Sequence, residues 1–325
     1  MDSLTRLLKS FTTQHAPPLP PSDPPIQIQL LSDIHLEIAS QYTTYSFPHT
    51  APYLLLAGDV GNLVHYADYL AFLKSLTPHY SRVFLLLGNH DFYGLTYEAT
   101  LDAAARITAE PDLHGKVTLL HRTRWDDPDS DLTILGCTLW SRVPAKAGDT
   151  VFYRVSDYLQ IKEWTVEKHN EKHLEEVDWL KRELAKLALE HKAAVKKVAD
   201  ENKKRRKEAE ANRPKAASPP VQDLPADLPL PRRRRILVAT HHAPCVKGAQ
   251  RPDKEDKPWA SAFVTDLVPK GGWSDVDVWA FGHTHFSTEM LVKGTRIVAN
   301  QRGYDFKGNP DPKDENFDPA YVIKM

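Results

Sequence analysis

Five short clusters of polar residues carry the chemistry open to this chain: SDIH at 32–35, GDVGN at 58–62, GNHD at 88–91, HHAP at 241–244 and GHTH at 282–285. Together they offer carboxylate oxygens, an amide oxygen and imidazole nitrogens, a donor set suited to Mn, Fe, Zn or Co rather than to a soft thiolate site. A divalent ion on such donors acts as a Lewis acid and makes a bound water acidic near neutral pH. Each cluster alone is ordinary turn chemistry or a surface histidine. Their joint occurrence reverses that reading. The two cysteines, Cys137 and Cys245, lack CxxC spacing, which argues against a disulfide framework and points to a reducing, intracellular compartment. Cys137 reads as inert core, and Cys245, three residues after His242, as turn packing.

Every cluster stands directly after an apolar run, and those runs must position it. Strands are expected over 26–31, 53–57, 83–87, 236–239 and 276–281, with others over 117–120, 132–135, 290–292, 296–299 and 321–323. The IQIQ alternation at 26–29 suits a half-buried strand, whereas YLLLA and VFLLL suit strands covered on both faces. A helical pattern over 66–76 separates two of them. Strands alternating with helices and hairpin-like pairs imply a mixed-sheet α/β fold, in which loops at the carboxyl ends of strands converge on one point.

The ordered set DxH, GDxxN, GNHD, HxP and GHxH resembles the signature of the calcineurin-like metallophosphoesterases, from Asp33 to His285. The resemblance implies a four-layer αββα sandwich of two mixed sheets flanked by helices, with two divalent metal ions between the sheet edges. One ion is then held by Asp33, His35 and His285, the other by Asn89, His242 and His283, and Asp59 bridges them. His242 is preferred because the family places its ligand two residues before the turn proline, here Pro244. His241 is the reserve candidate, since adjacent side chains on a strand face opposite ways. His90 is implied as the group that stabilises the transition state or protonates the leaving oxygen, with Asp91 orienting its ring. Arg302 and Tyr304 follow the strand after GHTH and are expected at the substrate, where a guanidinium clamps phosphate by paired hydrogen bonds. Asn62, Trp140 and Tyr153 are weaker candidates for the pocket wall.

The implied activity is hydrolysis of a small phosphate ester or nucleotide, cyclic ones included, by in-line attack of a bridging hydroxide, with a phosphodiesterase favoured over a phosphomonoesterase. The GDVGN and GNHD forms depart from the GDxVDRG and GNHE of Ser/Thr protein phosphatases. Asn62 stands where purple acid phosphatases carry a tyrosine ligand. A nuclease is the alternative with the same chemistry, because KKRRK at 203–207 and RRRR at 232–235 can engage a nucleic-acid backbone or act as a nuclear address. A non-catalytic metal-binding scaffold is the alternative of another kind. His90 and every ligand type are present, which disfavours it.

Composition sets the frame for these readings. With 42 Lys and Arg against 43 Asp and Glu, the chain has no overall charge case for a polyanionic partner. Its 325 residues suit one catalytic domain over 26–325, preceded by an amphipathic, Pro-rich segment over 1–25. No apolar run approaches the roughly 20 residues of a membrane helix, so a cytoplasmic location is expected. The segment 167–189 carries an apolar stripe through Leu174, Val177, Leu180, Leu184 and Leu187. His169 and His173 on it are expected on its solvated face. Beyond it, 192–235 holds 14 basic and 6 acidic residues, so 191–235 reads as a charged helix and Pro-rich linker inserted into the domain.

Overall fold

The computed structural model describes residues 25–211, 226–305 and 314–325. Nearly all of the amphipathic, Pro-rich segment over 1–25, and most of the proline-bearing part of the insertion, lie outside them. In chain order the first sheet takes β1 (Gln27–Leu31), β2 (Tyr53–Ala57), β3 (Arg82–Leu86) and β4 (Val117–Leu120), and the second β5 (Thr123–Asp126), β6 (Leu132–Cys137), β7 (Arg235–Thr240), β8 (Val278–Phe281), β9 (Thr288–Val292) and β10 (Thr295–Ala299). The last strand, β11 (Val322–Lys324), returns to the edge of the first sheet. The orders are β11-β1-β2-β3-β4 and β5-β6-β7-β8-β10-β9. Neighbours are parallel except where β11, β5 and β9 pair, which makes both sheets mixed.

The continuous apolar runs are explained by burial on both faces. Leu55, Ala57, Phe84 and Leu86 point between the sheets toward Ile134, Leu237, Ala239 and Ala280. Their alternates Leu54, Leu56, Val83 and Leu85 point outward onto Tyr69, Phe72 and Leu73 of α1 (Tyr66–Leu76) and Ala104 of α2 (Tyr97–Thr108). Two short helices, α3 (Gly148–Arg154) and α4 (Asp157–Gln160), lead into α5 (Val166–Ala211), which covers the outer face of the second sheet. The result is four layers, as expected, with a final short helix α6 (Pro252–Glu255) in the loop after β7. The polar strand β5 (TRWD) was not expected, because an exposed edge strand needs no apolar pattern. No described helix is long and apolar enough to cross a membrane.

Helix α5 differs from its sequence reading in two ways. It runs 46 residues, so the charged segment continues the packed helix without a break. Val177, Leu180, Leu184 and Leu187 are buried, each contributing about 1.5–3 kcal/mol, whereas Leu174 is 52% exposed. His169 and His173 are not on a solvated face. Both are buried. His169 Nε2 accepts from the Ser141 amide and hydroxyl at 3.1 and 2.9 Å, and His173 Nδ1–H donates to the Leu139 carbonyl at 3.0 Å. They hold the turn after β6, where Leu139 and Trp140 have φ of 71° and 45°. The neighbouring Thr138 carbonyl in turn accepts the amides of His241 and His242. A polar helix face was read as solvated because period alone does not reveal a turn that needs donors and acceptors.

Glu176 lies one turn further on, fully buried, with no hydrogen-bond partner on either carboxylate oxygen. Burial pushes it up to about 8, with Glu175 adding to the effect and Arg122 and Lys172 opposing it. Tyr97 and Cys137 also face it. Because the folded-state value lies above the ordinary 4.5, the native protein holds a proton that the unfolded chain releases. Stability therefore falls as pH rises from about 4.5 to about 8. Glu176→Gln should be more stable than the parent by on the order of 1–3 kcal/mol at about pH 8, and by much less near pH 5. Urea denaturation at the two pH values measures this; an equal difference at both would contradict it.

Candidate metal centre

The five polar clusters meet at the carboxyl ends of β1, β2, β3, β7 and β8, where the parallel strands of both sheets discharge into loops. The backbone there is unusual. Asp33, His35, Asp59, His283 and His285 all adopt left-handed φ, at 54°, 47°, 51°, 74° and 50°. Such conformations cost non-glycine residues about 1 kcal/mol or more each and persist where the surroundings fix them for a purpose. The motif glycines permit close approach: a Cβ at Gly88 would overlap the Asp59 carboxylate, and one at Gly282 would overlap the Ser32 hydroxyl.

Three clusters of close donor atoms form among the described residues, of which His35, Glu37 and His90 make one and the two below correspond to the expected ligand sets. Ligand atoms of Asp33, His35 and His285 lie within 4.8 Å of one another, and so do those of Asp59, His241 and His283. In the first group, His35 Nε2 and His285 Nε2 face each other at 3.0 Å, beside Asp33 Oδ1 at 3.5 Å from His285. In the second, His241 Nδ1–H donates to the Ala57 carbonyl at 3.0 Å, which turns Nε2 toward Asn89 Oδ1 at 3.0 Å and Asp59 Oδ1 at 3.3 Å. Asn89 is fixed in that sense because its Nδ2 donates to Asp157 at 2.8 Å. A basic nitrogen pointing at two oxygens calls for a second ring proton or a cation. His283 Nε2 is buried with no partner. These arrangements fit divalent metal.

Asp59 stands between the groups, with Oδ2 3.8 Å from His35 Nε2 and Oδ1 3.3 Å from His241. Both aspartates are fully enclosed. Burial pushes Asp33 up, whereas at Asp59 the facing His241 and His90 outweigh burial and hold it well below the usual carboxylate range. Burial drives His283 and His285 well below the ordinary imidazole value, which favours the neutral form a ligand needs. At His241, by contrast, the facing Asp59 outweighs burial and holds the ring up at about 9.

The adjacent histidines resolve opposite to the sequence expectation. His241 enters the second donor group, while the His242 ring turns away to pack on Trp140, His169 and His283, with neither ring nitrogen hydrogen-bonded. The geometry therefore favours His241, the reserve candidate, over His242 as the ligand. The phase of β7 decides it: Leu237 and Ala239 face the inter-sheet core where the site opens, and His241 continues that parity.

His90 projects beside the first group. Its Nδ1–H donates to Glu37 Oε1 at 3.0 Å, and the same oxygen accepts from His35 Nδ1–H at 3.0 Å. Glu37 thereby fixes the proton on Nδ1 of both rings and leaves His35 Nε2 free to ligate. Those two hydrogen bonds outweigh burial and bring Glu37 down to about 2. Burial alone would depress His90, but Asp59 and Glu37 hold it up at about 9. Two cations on the floor of the site would oppose that field.

Asp91, expected to orient the His90 ring, is engaged elsewhere. Its carboxylate accepts from the amides of Asp59 and Gly88 at 3.0 and 2.7 Å and from Tyr69 Oη at 2.8 Å, so it shapes the loops that carry Asp59 and Asn89. Glu37 orients the ring instead. It sits two residues beyond DxH and Asp157 in α4, and neither carries a motif that would have singled it out.

Arg302 is no phosphate clamp in this structure. It is 5% exposed and ties the Ile34 carbonyl to Gln41 and Asp305, its guanidinium lying over Tyr45. Asn62 likewise holds the His90 carbonyl, at 2.6 Å. Trp140 is core and Tyr153 is 82% exposed; neither lines the cleft. Tyr304 does line it, with its hydroxyl 3.0 Å from His90 Nε2. The cleft, of about 220 Å³, runs from Asp59, His90 and His283 outward past Tyr93 and Asp157 to Gln250 and Trp259.

Comparison with known proteins agrees with this arrangement. Residues 26–287 match the family model described as calcineurin-like phosphoesterase. The chain is 21% identical over 324 residues to an uncharacterised protein of Acanthamoeba polyphaga mimivirus, covering 91% of this chain and 95% of that one. Its structure is similar to that of the phosphopantetheinyl hydrolase of Mycobacterium tuberculosis, with a TM-score of 0.53 and 13% identity over 86% of this chain and 90% of the other. A dimetal phosphatase of Danio rerio is more distant, with a TM-score of 0.41 and 10% identity over 86% of this chain and 88% of that one. The first structural likeness bears on fold alone. With its whole motif-bearing core matched, the chain belongs to the calcineurin-like phosphoesterase family, whose members hydrolyse phosphoesters.

Proposed function

We propose that this protein is a two-metal phosphodiesterase acting on a small phosphate ester. One ion is held by Asp33, His35 and His285 and the other by Asn89, His241 and His283, with Asp59 shared. The observation that carries this reading is Asp59 itself, one carboxylate oxygen turned to each donor group. When bound, the ions supply polarisation of the phosphoryl oxygens and acidification of water. The chain's own residues do the rest. Asp157 and Tyr93 lock Asn89, Glu37 locks His35 and His90, and the enclosing rings of Phe263 and Tyr304 limit access of bulk water. In hydrolysis a water oxygen bonds to phosphorus, the bond from phosphorus to the leaving oxygen breaks, and His90 gives that oxygen a proton through Nε2, the atom nearest the cleft.

Preference for diesters is supported by the extension of the cleft beyond the donor groups, which gives a second ester substituent somewhere to lie. Charge disfavours the nuclease reading. Arg233 pairs with Asp277, Arg234 donates to Thr133 and the Leu132 carbonyl, and Arg235 pairs with Asp131. These arginines precede or begin β7, about 20 Å from His241 at its other end. The test is a panel of bis(4-nitrophenyl) phosphate, 4-nitrophenyl phosphate and 2′,3′- and 3′,5′-cyclic nucleotides with added manganese. The expected result is a higher kcat/KM for diesters. A monoester cleaved tenfold or more faster, as roughly 1.4 kcal/mol of preference the other way, would overturn the diester assignment.

A further inference from the structure

The outer half of the cleft differs in character from its floor. His283 stacks under Phe263, with ring centroids 4.6 Å apart. Trp259, four residues earlier in the same wall, carries the Arg154 guanidinium over its ring at 5.7 Å. Arg251 and Lys254 line the same side, with Arg251 3.9 Å from Asp253. The same cleft is lined by Gln250, 4% exposed, whose side-chain amide nitrogen is buried without a hydrogen-bond partner. Leaving such a donor unpaired costs about 1–3 kcal/mol, and an acceptor on a bound molecule would satisfy it. The cleft thus combines imidazoles, apolar rings, a buried amide donor and cationic side chains.

We infer that the cleft takes a phosphate ester bearing a second anionic group, with the reacting phosphoryl on the floor, a flat or apolar portion against Phe263 and Trp259, an acceptor at Gln250 and a second phosphoryl at Arg154. The inference rests on the phosphoesterase reading of the floor and names the substrate class of that site. A guanidinium already resting over an indole is partly preorganised for a phosphoryl group, because less rotamer freedom is lost on binding. A substrate ending in a neutral alcohol would leave both the rim charge and the Gln250 amide unused.

Two ester substrates test it: the 4-nitrophenyl ester of thymidine 5′-phosphate, with and without a phosphate on the 3′ oxygen. Both release 4-nitrophenolate from the same bond. The expected result is about a tenfold gain in kcat/KM from the 3′-phosphate, the worth of one charge-assisted hydrogen bond. Arg154→Ala should remove most of that gain, and Arg154 is exposed in α3, so the fold is spared. Gln250→Leu should lower kcat/KM for both thymidine esters more than for bis(4-nitrophenyl) phosphate. Equilibrium binding gives a readout apart from turnover: thymidine 3′,5′-bisphosphate should bind about tenfold tighter than thymidine 5′-phosphate, and Arg154→Ala should bring the two together. No gain from the 3′-phosphate, or a gain that survives Arg154→Ala, overturns the inference. Protein shown to hold its metals that cleaves none of the three esters overturns the phosphoesterase reading beneath it, which is a distinguishable result.

Discussion

Replacing His241 by alanine should strip metal from the second donor group and nearly abolish hydrolysis, whereas His242→Ala should keep both metals. The contrast follows from where two neighbouring rings point. His241 directs Nε2 at Asn89 and Asp59 while Ala57 holds its other nitrogen. His242 offers no ring nitrogen to any partner and serves as packing between Trp140 and His283. Loss of a direct ligand should exceed the roughly 10- to 100-fold effects of outer partners. His242→Ala leaves a void in a fully buried position, so its signature is a lowered Tm, with activity reduced modestly below that temperature. Metal content and kcat/KM measured together on the two variants check this. Metal loss from His242→Ala with retention in His241→Ala would reverse the assignment.

The second large effect is expected at His90. His90→Ala should retain two metals and lose about 10²- to 10⁴-fold in kcat, the range of a positioned proton donor. The loss should be greater for esters with alkoxide leaving groups than for 4-nitrophenyl esters, because 4-nitrophenolate departs without needing a proton. A loss of equal size across leaving groups would instead indicate that His90 stabilises charge on the phosphoryl oxygens. If His90→Ala lost metal, its assignment as a proton donor outside the two proposed ligand sets would be wrong. Glu37 shares one oxygen between His90 and His35, so substitutions there should disturb both functions at once.

Much of this architecture was legible in the residues because double-sided burial leaves an unmistakable pattern. The runs at 53–57 and 83–87 are apolar at every position, as strands between a helix layer and a second sheet must be, and the polar clusters follow them without a gap. What escaped the sequence depended on direction. Adjacent His241 and His242 have the same composition on paper, and only the strand's parity shows which enters the site. Arg302 was expected at the substrate because a guanidinium suits phosphate, yet the Ile34 carbonyl and Gln41 claim it. Asp91 follows His90 in sequence but reaches back to the Asp59 and Gly88 amides. Glu37 and Asp157 act on ligands two and 68 residues away in the chain, and partnerships of that kind carry no spacing signal. The polar face of α5 was misjudged for a related reason: His169 and His173 satisfy a left-handed turn that the sequence gives no sign of.

The central claim is that two ions share Asp59, and metal stoichiometry tests it most directly. Apo protein titrated with manganese, with bound metal and hydrolysis of bis(4-nitrophenyl) phosphate followed together, should bind two ions per chain and gain its activity with the second. Asp59→Asn should lose both metal and turnover, since a neutral amide bridges two cations poorly. Full activity at one ion per chain, unchanged by further metal, would contradict the account.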